Sequence, residues 1–578
     1  MIEKRWIPVA EPTSEQRATA VDLAAQLNVS PFLATLLVQR GVGDFEAARS
    51  FFRPDLSSLH DPFLMRDMDK AVERLTSAMA AGEKILVYGD YDVDGTTSVT
   101  MFYGFLRTLY DQLDYYIPDR YTEGYGISTQ GIDWAKENGF TLIVALDCGI
   151  KSVDKVAYAN TLGVDFIICD HHRPGEVLPA AAAVLDPKRD DCAYPYKGLT
   201  GCGVGFKLLH AFCLQNGLDL EVLYPYLDLL VVSIASDIVP VTGENRVLAY
   251  YGLQRLNTSP RAGLKALIQI AGLRNVLDIT NVVFGLGPRI NAAGRIKHAR
   301  EAVRLLLCEN EEEAGEFATQ INKHNADRRK FDTSITDEAL SMIQQDAWIS
   351  GAKSTVLYKE DWHKGVIGIV ASRCIEHFHR PTIILTKSNG KAAGSARSVP
   401  GFDVYEAIEE CSELLEQFGG HTFAAGMTLP IENIEAFRQR FDKIVSSRIL
   451  PEQLTPMIGV DMEIELEEIS WKFYRVLKQM SPFGPGNMTP VFVSRQVHIA
   501  KKPTIMKEKH IKFEVYQGQS PAFTVIAFGM AHIYPDLMNG QPFDICYHLD
   551  ENTFREKTTL QFMLKDIKFG EPTWKQSN

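Results

Sequence analysis

Lys84-Ile-Leu-Val-Tyr-Gly-Asp-Tyr-Asp-Val-Asp-Gly95 runs from a short β-type segment, Lys84 to Tyr88, straight into three alternating aspartates. An extended chain carries every second side chain on one face, so Asp90, Asp92 and Asp94 project the same way. Three crowded carboxylates repel one another unless a cation neutralises them, and hard oxygen ligands of this kind suit Mg2+ or Mn2+. The spacing also resembles the opening of a calcium loop. Such a loop needs glutamate at its twelfth position, which here is Met101. An Asp- and Gly-rich turn without a metal remains the alternative for the stretch by itself.

Working outward, further β candidates are Asp114 to Ile117, Thr141 to Leu146, Asp165 to Cys169 and Ala183 to Leu185, with helical stretches such as Ser98 to Tyr110 between them. Strands alternating with helices predict a parallel sheet covered by helices. Asp147 ends one candidate, Asp170-His171-His172 ends another, and Asp237 closes the apolar run Leu229 to Ile234, which suits a buried helix or strand. Three of these four acidic groups fall at carboxyl ends of predicted strands, where open α/β sheets place their sites. One aspartate at a strand end is most often a helix cap. Several along one edge are harder to explain that way, and the imidazoles shift the expected metal from Mg2+ towards Mn2+.

The remaining chain divides by pattern. Residues 1–70 read as a helical N-terminal segment, 71–300 as the parallel-sheet domain and 301–348 as connecting helices. Residues 349–450 read as a smaller α/β domain and 451–578 as a β-rich domain suited to a small barrel. A length of 578 residues is too great for one core. No apolar run reaches the roughly 18 residues of a membrane span, and the N-terminus has no signal-like apolar stretch. The nine cysteines form no CxxC pair, so neither a zinc site nor a disulfide framework is indicated, and the cytoplasm is the expected compartment. A net charge of −13 argues against a nucleic-acid partner, yet Arg289 to Arg300, Lys323 to Lys330 and Lys501 to Lys512 are locally basic.

Asp170-His171-His172, with Gly-Asp-Tyr-Asp-Val-Asp-Gly upstream and Asp147-Cys-Gly between, resembles the motif set of the DHH phosphoesterases. Phe284-Gly-Leu-Gly-Pro-Arg-Ile-Asn-Ala-Ala-Gly-Arg295, Gly394-Ser-Ala-Arg397, Gly419-Gly-His-Thr-Phe-Ala-Ala-Gly426 and Pro482-Phe-Gly-Pro-Gly-Asn487 are similar, in order, to motifs of the RecJ-like exonucleases. The resemblance implies a DHH domain, a DHHA1 domain and an OB-fold at the three positions above. It implies 5′→3′ hydrolysis of single-stranded DNA to 5′-mononucleotides with two divalent ions, Mn2+ or Mg2+, in DNA repair and recombination. Asp92, Asp94, Asp147, His171 and Asp237 then resemble the metal ligands, with Asp147 as the bridge. Asp90 supports them, and His172 faces the scissile phosphate. Related pyrophosphatases carry a histidine where this chain has Tyr88. Arg120, Ser395 and Arg397 resemble a pocket for the 5′ phosphate. Arg289, Asn291 and Arg295, expected in a glycine-bearing loop, resemble backbone-gripping residues; Gly419, Gly420 and His421 resemble the DHHA1 signature. Phe513, Tyr516 and Phe523 are candidate stacking residues of the barrel. The implied partners are single-stranded DNA, a single-strand-binding protein and a helicase, with no membrane and a monomeric state. Two alternatives stand beside this: a relative acting on short oligonucleotides or cyclic dinucleotides, and a non-catalytic replication scaffold.

Overall fold

The computed structural model describes residues 3–9 and 11–570. Residues 1, 2 and 10 of the N-terminal segment and 571–578 of the C-terminal one lie outside it. The N-terminal segment is not wholly helical. β1 (Arg5–Pro8) precedes helices Ser14–Leu27, Pro31–Gln39 and Phe45–Phe52 and pairs in parallel with residues 457–460. Trp6 decides this. Its Nε1–H donates to Asp566 Oδ2 at 2.7 Å and its ring packs with Val491, Val493 and Cys546. These partners lie far along the chain, so no local period announces the strand.

The first large sheet holds β2 (Lys84–Gly89), β3 (Leu113–Tyr116), β4 (Phe140–Leu146), β5 (Asp165–Cys169) and β6 (Ala183–Leu185). All pairs are parallel, in the order β3-β2-β4-β5-β6. Both faces are covered, which is why the strands read as continuous apolar runs. Ile85, Val87, Leu142, Val144 and Ile167 enter one core; Leu86, Tyr88, Ile143, Phe166 and Ile168 enter the other. The larger core reaches back to Leu56, Met65 and Met68 and forward to Ile321. The run Leu229 to Ile234 lies in the buried helix Leu227–Ser236.

Arg289, Asn291 and Arg295 lie on a helix, Gly287–Ile296, not on a loop. Pro288 fits the first turn, where no amide donor is needed. The glycines serve packing instead: a Cβ at Gly294 would lie 2.9 Å from the Tyr91 carbonyl oxygen. The helix Glu311–Gln345 then leaves this core for the next. Ala314, Ala318 and Ile321 pack in the first, Ile335, Ala339 and Ile343 in the second. The second sheet holds β7 (Thr355–Tyr358), β8 (Thr382–Ser388), β9 (Lys391–Arg397), β10 (Gln417–His421) and β11 (Ala424–Leu429), in the order β10-β11-β9-β8-β7.

After β12 (Met457–Val460), the C-terminal barrel is built from β13 (Met462–Glu463), β14 (Phe492–Met506), β15 (His510–Tyr516), β16 (Phe523–Ala527), β17 (Phe543–Phe554) and β18 (Lys557–Phe569). The order is β13-β14-β15-β16-β18-β17, and β14 also pairs with β17 to close it. Phe513 and Phe523 are core residues at 2% and 6% exposure, so they are not stacking platforms. Tyr516 is exposed beside His498. The barrel shares one core with the N-terminal helices, through Leu23, Leu33, Leu36 and Leu37. Among the described residues no helix is long and apolar enough to cross a membrane.

Pro482-Phe-Gly-Pro-Gly-Asn487 joins this unit to the parallel-sheet domain. The Val241 amide donates to Pro485 O at 2.7 Å. A Cβ at Gly484 would lie 2.4 Å from Val241 Cγ2. The buried Arg246 guanidinium lies over the Phe51 ring and donates to the carbonyls of Phe51, Met480, Ser481 and Pro482. Arg246→Met strands those acceptors, at about 1–3 kcal/mol for each one left dry. We expect unfolding calorimetry of this variant to show the barrel and N-terminal helices melting ahead of the rest. A single transition at the wild-type temperature would show that Arg246 does not hold the seam.

Candidate active site

The carboxyl edge of the first sheet gathers the acidic residues. Asp90 follows β2, is fully buried, and accepts from the Gly126 amide at 3.1 Å. Asp92 caps the helix Val93–Leu106 by accepting from the Gly95 amide at 3.1 Å. Asp94, in that helix's first turn, accepts from the Gly201 and Cys202 amides at 2.7 and 3.0 Å and from Ser233 Oγ at 2.7 Å. Those two amides open the helix Gly201–Gln215, whose positive end suits a carboxylate. Asp147 follows β4 with φ of 60°, a left-handed conformation uncommon outside glycine. Gly201 makes room for it, since a Cβ there would lie 2.4 Å from Asp147 Cβ. Asp237 caps the carboxyl end of Leu227–Ser236.

His171 stands among these groups. Its Nε2 lies 3.2 Å from Asp147 Oδ1 and 3.6 Å from both Asp94 Oδ2 and Asp237 Oδ2. Donor atoms of Asp94, His171 and Asp237 lie within 4.8 Å of one another, as do those of Asp147, His171 and His172. Thus His171 belongs to both groups, and Asp92 to neither. His172 is held differently. Asp170 Oδ1 takes its Nδ1–H at 2.8 Å, and Nε2 meets the Tyr125 hydroxyl at 3.1 Å. Tyr88 is no ligand: its hydroxyl is buried and donates to Gly126 O at 3.0 Å.

The edge is electrostatically incomplete. Burial, reinforced by neighbouring carboxylates, pushes Asp90 and Asp237 up to about 8, raises Asp92 and holds Asp147 well above its usual range. Burial likewise pushes His171 down to about 4. For His172, burial is outweighed by Asp170, which raises it to about 9; for Asp170, burial is outweighed by His172 and the Ile150 amide, which hold it well below the carboxylate range. Both Asp147 oxygens, both His171 nitrogens and Asp90 Oδ2 are buried without a hydrogen-bond partner. Unpaired buried carboxylates are strongly unfavourable. An oxygen-rich set with imidazole fits divalent Mn2+ or Mg2+.

Beside this edge a cleft of about 540 Å³ opens between the first and second sheets, lined by Tyr91, Arg120, Arg295, Ser395, Arg397 and Gly419 among others. The Arg120 guanidinium lies 4.0 Å from the Tyr91 ring centre and its buried Nε has no partner. Arg295 donates to Gly365 O at 2.9 Å; burial and the charges of Arg120 and Arg397 lower it to about 10. Arg397, lowered by burial, donates to Ser395 Oγ at 3.0 Å. Gly368 leaves room for that pair, as a Cβ there would lie 2.8 Å from Arg397 Nη2. No described carboxylate pairs with these three arginines, so the cleft suits an anion, which planar guanidinium forks meet in pairs.

Other expected residues lie elsewhere. Arg289 donates to Gly285 O and Asn322, outside the cleft lining, and Asn291 Oδ1 is buried without a partner. Gly420 adopts φ of 152° in a hairpin where a Cβ would lie 2.3 Å from Ala424 O. His421 is exposed but close enough to Arg397 and His172 to feel both charges. Sequence reasoning assigned no role to Tyr125, Gly365 or Gly368. Tyr91 and Asp170 stood inside quoted motifs and were open to selection; the other three carry no local signal.

A carboxylate-lined edge of a parallel sheet, facing a smaller α/β domain across a basic cleft, defines a phosphoesterase of the DHH class. Residues 84–234 match the DHH family, N-terminal domain, 351–447 the DHHA1 domain and 460–566 the RecJ OB domain. The chain belongs to the RecJ family. It is 38% identical to the single-stranded-DNA-specific exonuclease RecJ of Bacillus subtilis, over 95% of this chain and 69% of that protein. It is 35% identical to that of Salmonella typhimurium, over 95% and 98% respectively. The crystal structure of RecJ from Thermus thermophilus in complex with Mn2+ matches with TM-score 0.84 and 27% identity, over 98% of this chain and 80% of that one. The corresponding Mg2+ complex gives 0.77 and 26%, over 98% and 79%.

Asp90 and Asp237 titrate near 8 in the folded, metal-free chain, against about 4 when unfolded. Between those values the folded state binds more protons, so stability falls as pH rises. We expect the metal-free melting temperature to drop between about pH 5 and pH 8. Asp237→Asn should flatten the slope, and Mn2+ should raise the wild-type midpoint most at the alkaline end. Identical slopes in wild type and variant would contradict this account of the edge.

Proposed function

We propose that this chain is a 5′→3′ exonuclease that hydrolyses single-stranded DNA to 5′-mononucleotides. The observation that carries the reading is an acid-free arginine cleft directly beside an unneutralised carboxylate edge. Arg120, Arg397 and Ser395 take the terminal 5′ phosphate, and Arg295, fastened to Gly365, adds charge from behind. Asp92, Asp94, Asp147, His171 and Asp237 would hold two divalent ions, and both Asp147 oxygens are free of hydrogen-bond partners. When bound, Mn2+ or Mg2+ supplies Lewis acidity towards water and the phosphoryl oxygens.

Asp170 fixes the orientation of His172 and keeps it cationic, so that its remaining N–H, now against Tyr125, can donate to a non-bridging oxygen of the scissile phosphate. Asp90, anchored by the Gly126 amide, orients groups around the ligands through its free oxygen. Exposed Lys501, Lys502, Lys507, Lys509 and Lys512 give the barrel a surface for the strand beyond the site. Arg289, Asn291, Gly419, Gly420 and His421 are assigned to strand contacts. The reading extends to a monomer of the cytoplasm, acting in DNA repair and recombination beside a single-strand-binding protein and a helicase. Against a small-substrate phosphodiesterase stands the barrel; against a scaffold stands the intact ligand set.

Digestion of single strands blocked at one end, with Mn2+ present, tests the polarity. A 5′ block is expected to stop release of mononucleotides and a 3′ block to leave it; the reverse pattern would refute the assignment. In Arg397→Ala, use of 5′-phosphorylated strands should fall more than use of 5′-hydroxyl strands, by about 10- to 150-fold for the loss of roughly 1.5–3 kcal/mol. Equal losses on both would move Arg397 to a general backbone role.

A further inference from the structure

The carboxyl edge of the first sheet has a cation at each extreme. Arg120 follows β3, one outer strand; Lys188 follows β6, the other, and the aspartates and histidines after β2, β4 and β5 lie between. The turn bearing Lys188 is pinned on both sides. Asp186 Oδ1 accepts the Lys188 amide at 2.7 Å, and the Asp170 amide donates to Leu185 O at 2.9 Å, tying this turn to the Asp170-His171-His172 segment. Arg189, with its side chain 6% exposed, donates to Asp67 and Asp191. Those ion pairs occupy Asp67 and Asp191, whereas Asp186 forms no ion pair among the described residues and meets the backbone amide of Lys188. Lys188 itself is exposed and makes no ion pair with any described residue. Neighbouring strands lie about 4.8 Å apart, so the step from β5 to β6 is short enough for one lysine side chain to span.

We infer that Lys188 binds the phosphate on the 3′ side of the scissile bond. The inference rests on the exonuclease reading above and adds a third contact to it. A strand whose 5′ phosphate occupies the arginine cleft crosses the carboxylate edge at its first phosphodiester and leaves over β6. There a flexible ammonium on a rigid turn meets the next phosphate. Three phosphates are then read in order along one sheet edge, which fixes both the direction of the strand and the position of the cut.

The test uses substrates that differ only in that third phosphate. A 5′-phosphorylated dinucleotide lacks it and a 5′-phosphorylated trinucleotide has it. Wild-type enzyme is expected to prefer the trinucleotide in kcat/KM. In Lys188→Gln the preference should narrow about tenfold, as for loss of one solvent-exposed charge-assisted contact, and Lys188→Arg should restore most of it. A trinucleotide with a neutral methylphosphonate at the second linkage should cost the wild type the same factor and the Gln variant almost nothing. Mn2+ affinity, followed by electron paramagnetic resonance, should match wild type in both variants. An unchanged preference, an equal loss on both substrates, or weakened Mn2+ binding would each overturn the assignment. A wild-type protein that cleaves neither substrate would instead refute the exonuclease reading beneath it.

Discussion

Asp90, Asp92, Asp94, Asp147 and Asp237 crowd with His171 along one sheet edge without enough positive charge of their own to balance it, and the surrounding structure answers to that crowding. Asp94 is held by two amides at a helix N-terminus and by Ser233. Each such contact to a charged group is worth about 1.5–3 kcal/mol. Asp147 receives no such help, and its oxygens face His171 with nothing bonded to them. The left-handed backbone at Asp147 and the missing side chain at Gly201 allow that approach. A divalent ion would relieve the crowding that the fold itself leaves in place.

The cleft beside the edge follows the complementary rule. Where the edge concentrates negative charge, the cleft beside it concentrates positive charge and excludes acids. Arg120 and Arg295 come from the first domain and Arg397 from the second. Arg295 also crosses the boundary by bonding Gly365 O, while Tyr121 donates to the Arg295 carbonyl. An anion there would meet both domains at once, and the helix Glu311–Gln345 is packed at its two ends into different cores. The net charge of −13 therefore says little about the partner, because the cations are gathered where a phosphate chain would lie.

The ends of the chain form one unit. Helices before residue 53 fill one side of the barrel core, and Trp6 reaches Asp566. Arg246 and the Gly484 contact fasten that unit to the segment just after Asp237. The barrel's exposed lysines are thereby carried on a body fastened to the domain that bears the carboxylate edge.

The first sheet and its acidic edge were legible in the sequence, because parallel strands buried on both faces are short apolar runs and the aspartates and histidines follow directly in the chain. Lys84–Gly89, Asp165–Cys169 and Ala183–Leu185 form as their patterns indicate, and Asp94, Asp147, His171 and Asp237 converge. Family motifs marked Arg120 and Arg397, but only the fold joins them with Tyr91 and Arg295 in one cleft. Three other features were decided by tertiary structure alone: the strand at Trp6, the helix carrying Arg289, and the core positions of Phe513 and Phe523. Each depends on partners hundreds of residues away or on which face of an element meets a neighbour. Local periodicity reports how a segment repeats along itself; it carries no information about what is packed against it.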